Sequence, residues 1–320
     1  MSAPDASALP PPVLILSPGR SFSTVVSAML GRHPSLCALP ETCLLARESM
    51  AEYTRDLNAG LFDVGLIYAV QELIFGEQSE NAQRKVSEWL AARRNESTLS
   101  VFDELRRQAL PRIIVEKSPA MTTTLANLER IDRSFEGRAR YIHLTRHPLS
   151  YGTSLLDTLR SRLDSFPPIV TLRALQHPDS LFFDAMDMET GIVDPQRCWL
   201  RRHTTIDSFV SRIDPDRHIR VRGEDFVNAP DRTLEHVTAW LRLPTDAKSL
   251  DDMLHPEHWG FSNPRATGNG IAGDRKFFAN PNIRNKDTRG ASLDGALRWR
   301  WDGRGFDDAV RYLAASYGYQ

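Results

Sequence analysis

Lysine is scarce in this chain: 5 of its 40 basic residues are lysine and 35 are arginine. The planar arginine fork suits phosphate and sulfate recognition, although a GC-rich genome produces the same bias. Excess charge is also missing. A formal net charge of −1 excludes a global basic field of the kind that draws a protein to nucleic acid or an anionic membrane. Cysteine is limited to Cys37, Cys43 and Cys198, too few and too widely spaced for a disulfide framework or a metal-binding cluster. That usage fits a reducing, cytoplasmic setting. No apolar run approaches the ~18 residues of a membrane span. The Pro-rich residues 1–12 have no basic or apolar stretch of a secretory signal and read as a disordered lead. The Walker pattern G-x-x-x-x-G-K-[ST] is absent as well.

With 41% hydrophobic and 25% charged residues, the composition is that of a globular protein able to build a full core. Four short apolar or β-branched runs read as strands: Val13-Leu14-Ile15-Leu16, residues 36–39, residues 112–118 and residues 140–146. Ile219-Arg220-Val221-Arg222 is a fifth. Helical patterns lie between them, from about Phe22 to Arg32, across residues 42–109, from about Thr122 to Ile131, from Pro148 to about Leu159 and from Gln196 to Ile213. Further helices are expected at 231–241 and about 306–317. Residues 161–195 and 254–285 lack a period and read as cap or flap segments. Alternating strands and helices predict an α/β fold with a parallel central sheet in one domain over 13–320. Ligands in such sheets bind beyond the carboxyl ends of the strands. The turn at 17–24, Glu41, residues 116–119 and Arg146 all fall on that edge.

The turn Ser17-Pro18-Gly19-Arg20-Ser21-Phe22-Ser23-Thr24 joins a strand to a helix, and such a turn aims backbone N–H groups at an anion. Followed by Leu30 and His33-Pro34, it resembles the 5′-phosphosulfate loop of the sulfotransferases that use 3′-phosphoadenosine 5′-phosphosulfate (PAPS). Ile142-His143-Leu144-Thr145-Arg146-His147-Pro148, with Ser154 eight positions after the arginine, resembles the 3′-phosphate motif of the same family. Glu116-Lys117-Ser118-Pro119, Val221-Arg222-Gly223-Glu224-Asp225-Phe226 and Gly273-Asp274-Arg275-Lys276-Phe277 are similar to three further family segments. The likeness is strongest to the bacterial and tyrosylprotein-like branch, including domains attached to polyketide synthases.

The resemblance implies a P-loop-type sandwich with a mostly parallel five-stranded sheet flanked by helices, and a helical or loop cap over the site. It implies transfer of a sulfonate from PAPS to a hydroxyl of a small-molecule or carrier-bound acceptor, releasing adenosine 3′,5′-bisphosphate (PAP) without a metal. Arg20, Ser21, Phe22, Ser23 and Thr24 would hold the 5′-phosphate, with Arg20 also steadying the leaving group. Arg146 and Ser154 would hold the 3′-phosphate, and Arg275 and Lys276 would clamp the nucleotide. Phe22 departs from the family, which has Gly there, so its ring must point away from the nucleotide or wall the acceptor pocket. The aryl-sulfotransferase base, a His two residues after the strand-end Lys, is replaced by Pro119. Glu41 is the candidate base, His255 and His258 are its rivals, and Lys117 would neutralise or orient the sulfonate. His33 and His147 sit in His-Pro turns and read as structural. A small-molecule kinase and a non-catalytic nucleotide-binding module remain as alternatives; the sequence sets no oligomeric state.

Overall fold

A computed structural model of the chain describes residues 9–62, 64–165, 176–178, 180–187, 189–262, 274–283 and 291–320. Its centre is a five-stranded sheet of β1 (Val13–Leu16), β2 (Leu36–Ala38), β3 (Ile113–Lys117), β4 (Arg140–Thr145) and β5 (His218–Arg222). The order is β2-β3-β1-β4-β5 and every pairing is parallel, so the sheet is wholly rather than mostly parallel.

Side-chain alternation explains why β1 is apolar throughout. Leu14 and Leu16 enter one core, with Phe102, Leu105, Leu128 and Tyr141. Val13 and Ile15 enter the other, with Val26, Met29, Leu234 and Val237. A strand covered on both faces has no solvent side to mark with polar residues. A third cluster joins Tyr151, Leu155, Phe182 and Trp199 to the C-terminal residues Tyr317 and Tyr319.

Pairing of Ile15 with Lys117, and of Leu16 with His143, aligns the carboxyl ends of β1, β3 and β4. The connections leave β1 in opposite directions, to β2 on one side and eventually to β4 on the other. The crevice at this switch point is where an open α/β sheet receives a ligand.

Several boundaries differ from expectation. The first helix spans Ser23–Leu30, with Phe22 as its N-cap rather than its first residue. Part of the expected disordered lead is packed: Leu9 is buried, and Arg106 donates to the carbonyls of Leu9 (3.3 Å) and Pro10 (2.9 Å). Residues 1–8 lie outside the described residues. The helix from Pro148 continues to Ser165, and a short helix, Leu181–Ala185, lies within the expected cap. The late segment holds a 3-10 turn at Pro256–His258 and a helix at Arg275–Ala279. The sequence reading missed the helix Ala247–Met253, although Asp246 caps it by accepting from the Ser249 amide at 3.0 Å.

Candidate active site

The turn after β1 is built from strained backbone. Gly19, Arg20 and Phe22 have φ of 74°, 49° and 65°. Each left-handed L-residue costs roughly 1–2 kcal/mol, so the surrounding contacts must impose this path. Gly19 is required for space as well: a Cβ there would meet Leu181 Cδ1 at 2.9 Å and Pro119 Cγ at 3.1 Å. Ser21 Oγ donates to the Gly19 carbonyl at 2.9 Å and closes the turn. The helix Ser23–Leu30 then starts with no side-chain cap and no acidic residue in its first turn. Its amino-terminal N–H groups and positive dipole end therefore face the loop.

Phe22 packs against the ends of β4 and β5. Its ring lies against Gly223, where a Cβ would come within 2.6 Å of Phe22 Cδ2 and 2.8 Å of the Ser21 carbonyl oxygen. The Arg146 guanidinium carbon sits 4.4 Å from the ring centroid, a cation–π arrangement. An aromatic ring thus supports the cation at the end of β4.

Arg146 is buried, and burial brings its pKa down to about 10 against the opposing charge of Glu224, so it stays cationic at neutral pH. It donates to Ser150 Oγ at 2.9 Å and to the Arg20 carbonyl. Ser154 pairs differently from expectation: its Oγ accepts from Arg20 Nε at 3.3 Å, which ties the turn after β1 to the helix after β4. Asp274 Oδ1 lies 3.4 Å from Arg20, while Lys276 contacts Asp157 at 3.1 Å. The Arg275 side chain lies outside the described residues, as does Gly273. Glu224 accepts from the His147 amide at 2.9 Å and so fixes the turn after β4 as well as standing at the end of β5.

Across the crevice, Lys117 is buried at 1% exposure. Its Nζ donates to Glu41 and, at 3.0 Å, to Thr24 Oγ1 in the first turn of the helix Ser23–Leu30. Glu41, Lys117 and Thr24 come from three separate segments and form one connected group. The rival bases do not join it. His258 lies beyond the opposite, carboxyl end of that helix, where its carbonyl accepts from Arg32 at 3.2 Å. His255 bonds Glu257 at 2.9 Å, and both imidazoles are exposed.

Residues 11–247 match the model of the sulfotransferase family. The chain belongs to that family. Among solved structures it resembles the sulfotransferase domain of the Synechococcus PCC 7002 olefin synthase, with 25% identity over 100% of this chain and 98% of that one, at a TM-score of 0.72. The sulfotransferase domain from the curacin biosynthetic pathway shares the fold at 22% identity, covering 98% of this chain and 99% of that one, also at 0.72. No curated protein sequence matches the chain.

The sulfotransferase uses further residues around the crevice that the sequence did not signal. Tyr319 places its hydroxyl between Thr145 (2.9 Å) and Glu224 (3.0 Å), so the C-terminal segment underpins the Arg146 turn. Trp199 donates its indole N–H to the Arg146 carbonyl at 2.8 Å. Both signals are long-range pairings with no local pattern. The His-Pro turns are alike: Nδ1 of His33 and of His147 each accepts from the amide two residues on, at 3.1 Å. That bonding is structural in both cases.

Proposed function

We propose that this sulfotransferase moves a sulfonate from PAPS to an acceptor hydroxyl, with Glu41 as general base. The observation that carries this reading is the Lys117 ammonium held between Glu41 and Thr24, because it links a candidate base directly to the phosphate loop. PAPS supplies an activated sulfonate on a 5′-phosphate and a distinguishing 3′-phosphate. The donor set suits that dianion-rich ligand: an uncapped helix N-terminus, Ser21, Ser23, Thr24 and two cations, Arg20 and Arg146, at one sheet edge.

Glu41 accepts the acceptor hydroxyl proton as the new O–S bond forms and the S–O bond to the 5′-phosphate breaks. Arg20 would steady the oxygen that takes the departing electron pair, a preorganised charge where negative charge grows. Lys117 orients Glu41 and neutralises the sulfonate in passage. Arg146, set on Phe22 and Ser150, would select the 3′-phosphate together with Ser154, and Lys276 and Arg275 would clamp the nucleotide. Leu181 against Gly19 supports a role for the cap in excluding water, the competing acceptor.

The acceptor is read as a small hydroxyl compound or a carrier-bound natural-product intermediate, in the bacterial cytoplasm. Three buried cysteines outside any disulfide are consistent with that compartment. No helix among the described residues is long and apolar enough to cross a membrane. Thermal shift decides between this and a kinase. PAP should stabilise the protein far more than AMP or ATP, and EDTA should leave turnover unchanged. Equal shifts by PAP and AMP would remove the 3′-phosphate role. PAP binding without release of product from PAPS would instead favour a non-catalytic module.

A further inference from the structure

Besides its bond to Lys117, Glu41 is held through its backbone by two further elements. It lies just after β2, at the start of a three-residue turn, Glu41-Thr42-Cys43, whose last member is left-handed with φ 56°. Nothing in Cys43 itself favours that conformation, so outside contacts must impose it.

One contact comes from β3. The Cys43 amide donates to Ser118 Oγ at 2.9 Å, and the Ser118 hydroxyl donates onward to Glu116. Glu116 and Ser118 are both buried, at 0% and 1% exposure. Deleting a buried link of this kind leaves a desolvated group unpaired, which costs about 1–3 kcal/mol. Three consecutive side chains of one strand end therefore serve one turn: Ser118 holds its backbone, Glu116 holds Ser118, and Lys117 holds its carboxylate.

The second contact is steric. The helix Gly65–Leu73 begins against the Glu41 backbone. A Cβ on Gly65 would lie 2.0 Å from the Glu41 carbonyl oxygen, 2.4 Å from its carbon and 2.9 Å from its nitrogen. Both partners are backbone, so no side chain can swing away. One element must retreat by about 1.4 Å, from 2.0 to 3.4 Å, to restore contact distance, and misplacement of even about 1 Å can cost about 10²-fold in rate. Intrinsic propensity points the other way, since Ala exceeds Gly in a helix by about 1 kcal/mol. A loss on replacing Gly65 therefore reports the clash.

We propose that Gly65 and the Glu116–Ser118 pair are positioning residues for Glu41, clamping its turn from above and below. This rests on the reading of Glu41 as the base. It also makes a claim about the turn that stands whatever Glu41 does.

The test uses the full chain with Ser118→Ala, Ser118→Thr and Gly65→Ala, beside Glu41→Gln. Three quantities are read: alkylation of the buried Cys43 by iodoacetamide, mapped by mass spectrometry; PAP affinity by calorimetry; and PAP release from PAPS with 2-naphthol, a hydroxyacyl thioester and a monosaccharide. Ser118→Ala and Gly65→Ala should raise Cys43 labelling at least about tenfold and lower kcat about 10- to 100-fold. The Kd for PAP should stay within about twofold, because the Ser118 hydroxyl bonds Cys43 and Glu116, Gly65 faces the Glu41 backbone, and Lys117, which bonds Thr24, is unchanged in these variants. Ser118→Thr, which keeps the hydroxyl, should restore both labelling and kcat. Wild-type labelling and kcat in Ser118→Ala overturns the proposal, and this variant decides if Gly65→Ala does not fold. Wild-type turnover in Glu41→Gln removes the base reading instead, and Cys43 labelling then judges the clamp alone.

Discussion

Glu116 offers a pH test whose sign follows from its surroundings. Its carboxyl is fully buried, and burial pushes its pKa from 4.5 up to about 7, against the Ser118 and Thr42 hydroxyls and the Lys117 charge, with Glu41 adding to the rise. The folded protein thus holds a proton that the unfolded chain has already released over this interval. Stability from the neutral group is complete below pH 4.5 and is lost as pH rises through about 7. At about 1.4 kcal/mol per pH unit, the loss across that window is roughly 3 kcal/mol.

Glu116→Gln is permanently neutral and keeps an oxygen to accept from Ser118. It should abolish this component. Urea unfolding of both proteins at about pH 4.5 and about pH 8 isolates it, since every other titrating group is shared. The variant should gain about 3 kcal/mol on the wild type between the two conditions. Parallel stability curves would refute the reasoning, because they would mean that Glu116 is ionised in the folded state or reached by water.

Arg146→Ala should bring PAP affinity down to that of AMP, read by calorimetry, while leaving AMP binding within about threefold. Phe22→Gly relieves a left-handed residue worth about 1–2 kcal/mol but removes the ring beneath Arg146, a contact worth about 0.5–2 kcal/mol. Overall stability should change little in denaturant, and PAP-over-AMP selectivity should fall. Lys117→Met should cut kcat by about 10²-fold with PAP affinity largely kept, because Glu41 loses its partner and the crevice its central charge. Leu14→Ala, at a fully buried position of the central strand, should cost about 2–5 kcal/mol in urea unfolding without altering the PAP Kd.

The strands were legible because parallel strands buried on both faces are written as unbroken apolar runs, as in Val13-Leu14-Ile15-Leu16. The cap was less so. Leu181–Ala185 spans five residues, too short for a helical period to stand out. The helix Ala247–Met253 carried its signal in the Asp246 cap rather than in an apolar stripe. His255 and His258 looked like bases by their place in a late loop, and the structure sets that segment beside Arg32, past the carboxyl end of the helix Ser23–Leu30.

The sequence by itself determined the α/β order and the places of the two motifs at strand ends, because strand ends and glycine turns are local features. It also marked Phe22 as the break in the first motif. Tertiary structure alone decided the pairings: Ser154 with Arg20, Phe22 beneath Arg146, Lys117 between Glu41 and Thr24, Gly65 against the Glu41 backbone. Each joins segments far apart in the chain. Their distances depend on strand register and left-handed turns held by outside contacts, and neither leaves a periodic trace in the residues themselves.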